Sequence, residues 1–157
     1  MEKFVAIFIA LLLIFGYGTG GLPDGDFGMP DEPEVEEEQI TGGQTRDVRE
    51  DEDIYREFQR QIAGNATVDL ETEDGDIYVR FEEQIAGTAR VNLTAATGDI
   101  YVHFADDLTG NASVNINAPN GRVIFANQSS TIEEYISRGN LDVSAGQDID
   151  YITGSIF

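Results

Sequence analysis

The side chains here that could do chemistry are thirty aspartates and glutamates, a single histidine, a tyrosine that recurs at fixed spacing and four Asn-x-Ser/Thr sequons. So many carboxylates suggest two chemistries. A pair held about 5–10 Å apart can hydrolyse a glycosidic bond, and a cluster of hard oxygens can hold calcium. Asp74, Asp76, Asp99, Asp106 and Asp107 crowd the edges of glycine turns. They would collect calcium weakly at most, because the Asp/Asn/Gly periodicity of a dedicated calcium loop is missing. His103 has no second imidazole with which to share a metal. Cysteine is absent, which removes thiol nucleophiles and zinc–thiolate centres. No motif singles out one carboxylate pair, so no catalytic, cofactor-binding or metal residue is assigned and a non-enzymatic protein is expected. A small carbohydrate-active enzyme is the third-ranked reading.

Tyr55, Tyr78 and Tyr101 stand 23 residues apart, with Ile124 in the same phase. Each lies between two inward positions of an alternating segment, so these side chains should point outward and stack. Stacking supports a sheet. Outward tyrosines also offer amphipathic contact area at small entropic cost, which makes Tyr55, Tyr78 and Tyr101 the candidate binding ladder for a glycan or a protein. The adjacent outward phase runs Glu57, Arg80, His103 and Ala126. Asn65, Asn92, Asn111 and Asn127 are the candidate N-glycosylation acceptors, with Asn65 and Asn111 in phase at a glycine corner.

These residues are placed by a repeat. Asp53 to Gly64 matches Asp76 to Gly87 at eight of twelve positions, and Gly98-Asp99-Ile100-Tyr101-Val102-His103-Phe104 repeats the core again. Within each unit apolar and polar residues alternate. Ala66, Val68 and Leu70 share one face, and after a turn Ile77, Val79 and Phe81 resume it, the period-2 mark of strands covered on one side. The turns carry Asp74-Gly75, Thr97-Gly98 and Asn120-Gly121, where glycine is expected to supply a positive φ, and a second corner recurs at Gly64, Gly87 and Gly110. The predicted class is all-β: a short, parallel β-helix-like β-solenoid of 23-residue rungs, with an antiparallel meander or sandwich as the alternative. Constant unit length favours the solenoid, since stacked rungs need it and hairpin loops tolerate drift.

The domain reading is residues 1–20 as a signal peptide or N-terminal anchor, 21–52 as an acidic disordered linker and 53–157 as the β-repeat domain. Phe4 to Phe15 is apolar and is followed by Gly16, Gly18 and Gly20, which suits export. The run is short for a bilayer span, so any membrane role is confined to this segment if it stays uncleaved. Asp24 to Asp53 is too acidic and too poor in large apolar residues to offset its ordering entropy. The formal charge of −21 with Lys3 the only lysine excludes nucleic acid as a partner and suits a salty exterior. Ser129 to Arg138 breaks the phase, and the final Tyr151 to Phe157 stretch, uncharged after Asp150, is an edge open to end-to-end strand pairing with another copy.

The Gly-Asp-Ile-Tyr-Val phrase at Gly75 and Gly98, with a Val-x-Leu strand seven residues before it, resembles the adhesin β-solenoid family of bacterial and archaeal surface proteins. Gly121-Arg122-Val123 departs from the phrase at its acidic position. The resemblance covers Asp53 to about Asn127. It implies a solenoid and a cell-surface role, and it carries over no catalytic residue. The functional expectation is therefore an extracellular or cell-surface, adhesin-like or structural protein that binds an envelope glycan or protein. The runner-up is a self-assembling extracellular subunit. No cofactor is expected beyond weak calcium binding.

Overall fold

A computed structural model describes residues 32–157, and these residues are all-β, with about five stacked turns and one short helix among them. The expected export segment, residues 1–20, and the first part of the acidic stretch lie outside the described residues. One sheet is built from β1 (Glu34–Glu36), β3 (Ile54–Phe58), β5 (Ile77–Phe81), β7 (Ile100–Phe104), β9 (Val123–Phe125) and β11 (Ile149–Tyr151), in that spatial order. The other runs β2 (Thr45–Glu50), β4 (Thr67–Thr72), β6 (Arg90–Ala95), β8 (Ser113–Ala118) and β10 (Leu141–Ala145). Every pairing within both sheets is parallel, as a solenoid requires and a meander forbids.

The register explains the repeat. Ile54 pairs with Ile77, Ile77 with Ile100 and Ile100 with Val123, so each inward side chain rests on its equivalent one rung away. The same holds for Val68, Val91 and Val114 and for Leu70, Leu93 and Ile116. All of these are buried, and together with the Ile62, Ile85 and Leu108 corner they form one continuous core between the sheets. Phe58, Phe81 and Phe104 stack within it at centroid spacings of 5.3 and 5.5 Å. A parallel stack places the same residue above itself, so one good inward choice is good in every rung.

The two glycine corners have different causes. Gly64, Gly87 and Gly110 hold φ of 68, 73 and 66°, the left-handed region where a Cβ is costly. Gly75, Gly98 and Gly121 do not, contrary to the sequence expectation. Their reason is close approach: a Cβ on Gly98 would sit 2.0 Å from the Gly75 carbonyl oxygen, and one on Gly121 1.9 Å from that of Gly98. Glycine is needed there because the rungs touch backbone to backbone.

The acidic stretch is partly a rung, which corrects the linker reading for residues 34–50. Glu34 pairs with Arg56 and Thr45 with Thr67, a spacing of 56 − 34 = 22 and 67 − 45 = 22, so this rung is one residue shorter than the rest. Four of its inward positions hold Glu34, Glu36, Arg46 and Glu50, where later rungs hold Val79, Phe81, Val68 and Ala95, while Val48 in the Leu70 phase and Ile40 beside Ile62 stay apolar and pack on the core. Backbone pairing and opposed charge replace apolar burial at most of its inward positions, with Ile40 and Val48 the exceptions, which hides the rung from a hydrophobicity reading.

At the other end, the out-of-phase stretch is α1 (Ser129–Ser137). Ile132 and Tyr135 are its buried residues, and the Tyr135 ring meets Phe104 edge-on at 6.0 Å, closing the phenylalanine stack. Asn127 stands where the strand partner of Phe104 would be. Its side-chain amide accepts from the Phe104 N–H at 3.0 Å and donates to the Phe104 carbonyl at 2.8 Å, so a side chain continues the ladder past the last residue of β9. The final strand is only β11, and residues 152–157 form none.

Candidate functional site: the outward ladders

The sheet that carries the tyrosines presents an aspartate just before each of β3, β5 and β7. Asp53 Oδ1 accepts from the Asp76 N–H at 2.7 Å, Asp76 Oδ1 from the Asp99 N–H at 2.7 Å, and Asp99 Oδ1 from the Arg122 N–H at 2.7 Å. The second oxygen is used as well. Tyr55 Oη donates to Asp53 Oδ2 at 3.1 Å and Tyr78 Oη to Asp76 Oδ2 at 3.3 Å. Arg122 ends the series by donating twice to Asp99 Oδ2, at 2.7 and 3.1 Å. Burial pushes the Asp99 carboxyl up, but the Arg122 N–H, guanidinium and charge prevail and hold it below the usual carboxylate range. The aspartate of the repeated phrase is thus an inter-rung acceptor, and the arginine at its fourth occurrence is the terminator of the ladder.

Tyr55, Tyr78 and Tyr101 come together as expected. Their rings stack with centroids 4.7 and 4.5 Å apart and planes 7° from parallel. This geometry changes what the stripe can bind. Ring faces lie against ring faces, so an incoming sugar meets edges and not the open face that CH–π stacking needs. Burial, with the Asp76 charge and the neighbouring phenols, raises the Tyr78 hydroxyl far above its ordinary value, and burial with Asp99 raises Tyr101. Ile124 pairs with Tyr101 but is buried, so the ladder ends at Tyr101. In the adjacent phase Arg80 pairs with His103; burial and then the Arg80 charge lower the imidazole.

The sequons divide into two kinds. Asn65 and Asn111 are exposed at the positive-φ corner. Asn92 lies within β6, where its amide donates to Asp69 at 2.5 Å and accepts from Asn115 at 2.9 Å, a second outward ladder. Asn127 is held by the Phe104 backbone. Of the turn carboxylates, Asp106 accepts from the Asp107 N–H at 2.8 Å and Asp107 from the Tyr135 hydroxyl at 3.1 Å. Among the described residues no three His, Asp or Glu side chains gather as a metal-holding group.

Sequence reasoning missed the head of the solenoid. Arg56 occupies the inward phase of Val79 and is buried. It contacts Glu34 and lies 3.4 Å from Glu50, while Arg46 lies 3.4 Å from Glu36 and 3.6 Å from Glu38. Burial lowers the Arg56 guanidinium. The signal was present in the repeat itself, since Arg56 is the residue that differs from valine at an inward position.

Comparison with known proteins finds no family model, curated protein or solved structure that matches this chain. The architecture therefore rests on its own strands and their register.

Proposed function

We propose that this protein is an exported, non-enzymatic solenoid rod that serves as an adhesin-like or structural element of the cell exterior. The observation that carries the reading is the use of its outward side chains. The Asp53–Asp76–Asp99, Tyr55–Tyr78–Tyr101 and Asp69–Asn92–Asn115 ladders are bonded from rung to rung, so they stiffen a rod. Pre-organised ladders of this kind lose little entropy when a partner docks along them. The net charge of −21 keeps such a rod soluble and suits salty surroundings. The apolar run of Phe4 to Phe15 and the exposed sequons Asn65 and Asn111 fit export and decoration. The resemblance of the Gly-Asp-Ile-Tyr-Val phrase to adhesin solenoids points the same way.

The partner in this reading is an envelope glycan or protein that meets tyrosine edges together with Arg80 and His103. Intact mass of the native protein from its own host tests the reading. A chain cut near Gly18 to Gly21, in the envelope or medium, is the expected result, with hexose-sized increments lost on Asn65→Gln or Asn111→Gln if the corners are decorated. A full-length, unmodified chain recovered from the cytosol overturns it.

A further inference from the structure

The two ends of the rod differ in a way that selects one mode of self-association. At the head, four inward positions of the first described rung are Glu34, Glu36, Arg46 and Glu50, in salt bridges with one another or with Arg56, and only Val48 and Ile40 of that rung are apolar and packed on the core. At the tail, Ile149 pairs with Val123 and Tyr151 with Phe125, so both occupy core phases, yet they are 42 and 43% exposed. Ile152 beside them is 39% exposed, and Val143 and Ala145 of β10 are only partly covered. The Tyr151 ring stacks on Phe125 at 6.0 Å on its rung side. Among the described residues β10 and β11 are the terminal strands of their sheets, with one edge each unpaired. An apolar cross-section bounded by two free strand edges is a template for another strand pair.

We infer that the tail docks on the tail of a second copy, giving a closed two-fold dimer. The occupant follows from the cost of desolvating each end. A head brought onto the tail would bury the Arg46 and Arg56 ion pairs against the apolar Ile149 and Tyr151, removing charges from water where the facing core phases offer them no polar partner. A second tail offers uncharged core phases and complementary free edges, and a two-fold contact uses both and closes. Asp142, Asp148 and Asp150 ring the contact on each copy, so the two tails repel at low ionic strength and the dimer tightens with salt. This inference is independent of the proposed role at the cell exterior, because it concerns only the shape and charge of the ends.

The absence of native cysteine allows a direct test on the full chain. Ser144→Cys places a thiol on the exposed face of β10 at the tail, and Asp47→Cys places one on β2 at the head. With a short bis-maleimide in about 1 M salt, where screening has fallen to about 3 Å, Ser144→Cys should cross-link to a dimer and Asp47→Cys should not. Mixing the two should give no head-to-tail product. Sedimentation velocity should show a concentration-dependent dimer, and Ile149→Lys, at an exposed position, should raise its dissociation constant by about tenfold or more while leaving the circular dichroism unchanged. A monomer at every concentration and salt, a mixed head-to-tail cross-link, or an open series of oligomers overturns the inference.

Discussion

At the residue scale, the repeated aspartate and tyrosine act as one device. The carboxylate spends one oxygen on the next rung's N–H and the other on its own rung's tyrosine, or on Arg122 where the series ends. A hydrogen bond to an ionised acceptor contributes more than a neutral one, about 1.5–3 kcal/mol, and here it recurs at three successive rung contacts. The device also fixes a pH limit. Tyr78 and Tyr101 have hydroxyls raised by burial and by nearby carboxylates. A folded tyrosine with a raised value keeps its proton where the unfolded one, near 10, has lost it, so above pH 10 the unfolded state binds fewer protons and stability falls as pH rises. Below pH 10 this contribution is fully present. The urea midpoint should therefore be flat from about pH 8 to 10 and drop steeply above it, and Tyr78→Phe should soften the drop. A midpoint that holds past pH 11 in the wild type contradicts the buried, acid-flanked ladder.

At the scale of the element, the glycines separate two costs that a sequence cannot distinguish. Gly42 has φ of 64° and nothing within 4 Å of an added Cβ, so Gly42→Ala should lose only the left-handed penalty of about 1–2 kcal/mol. Gly98→Ala meets a carbonyl oxygen at 2.0 Å, and relief requires two rungs to part along their length. Overpacking of that kind costs about 3 kcal/mol or more, and the two variants should be ordered accordingly by chemical denaturation. Equal losses would mean that the turns, and not the rung contact, set the requirement. The comparison also shows what the sequence revealed. Strand phase, rung length and the inward ladders were legible because period-2 alternation and a 23-residue repeat report them directly. The reason for Gly75 and Gly98 was not, because glycine at a positive φ and glycine under a carbonyl are spelled the same way. Nor was α1, whose Ile132 and Tyr135 show one helical face in a segment too short to contrast with the strands around it.

For the whole molecule, the decisive contrast is between a charged head and an apolar tail. The head was illegible because Glu34, Glu36, Arg46 and Glu50 read as a solvated acidic stretch, and only the parallel pairing with Arg56 and Thr67 shows them to be inward. Ion pairs at a terminal rung contribute little net stability, since desolvation offsets attraction, so a different role explains them better: they guard the edges of β1 and β2, unpaired among the described residues, against another rod. Replacing them with the residues of the interior rungs tests that role. Glu34→Val, Glu36→Phe, Arg46→Val, Glu50→Ala and Arg56→Val in one chain would rebuild the phases of Val79, Phe81, Val68, Ala95 and Val79 at the head. Both ends would then be apolar with unpaired edges, and a two-ended rod polymerises where a one-ended rod stops at a dimer. Light scattering should show the wild type holding at or below a dimer while the five-fold variant grows into fibres along the solenoid axis, faster at high salt as the net charge of −21 is screened. A variant that folds and stays at the size of the wild type would show that the head charges do not guard the edge, and the reason for an arginine in a valine phase would have to be sought elsewhere.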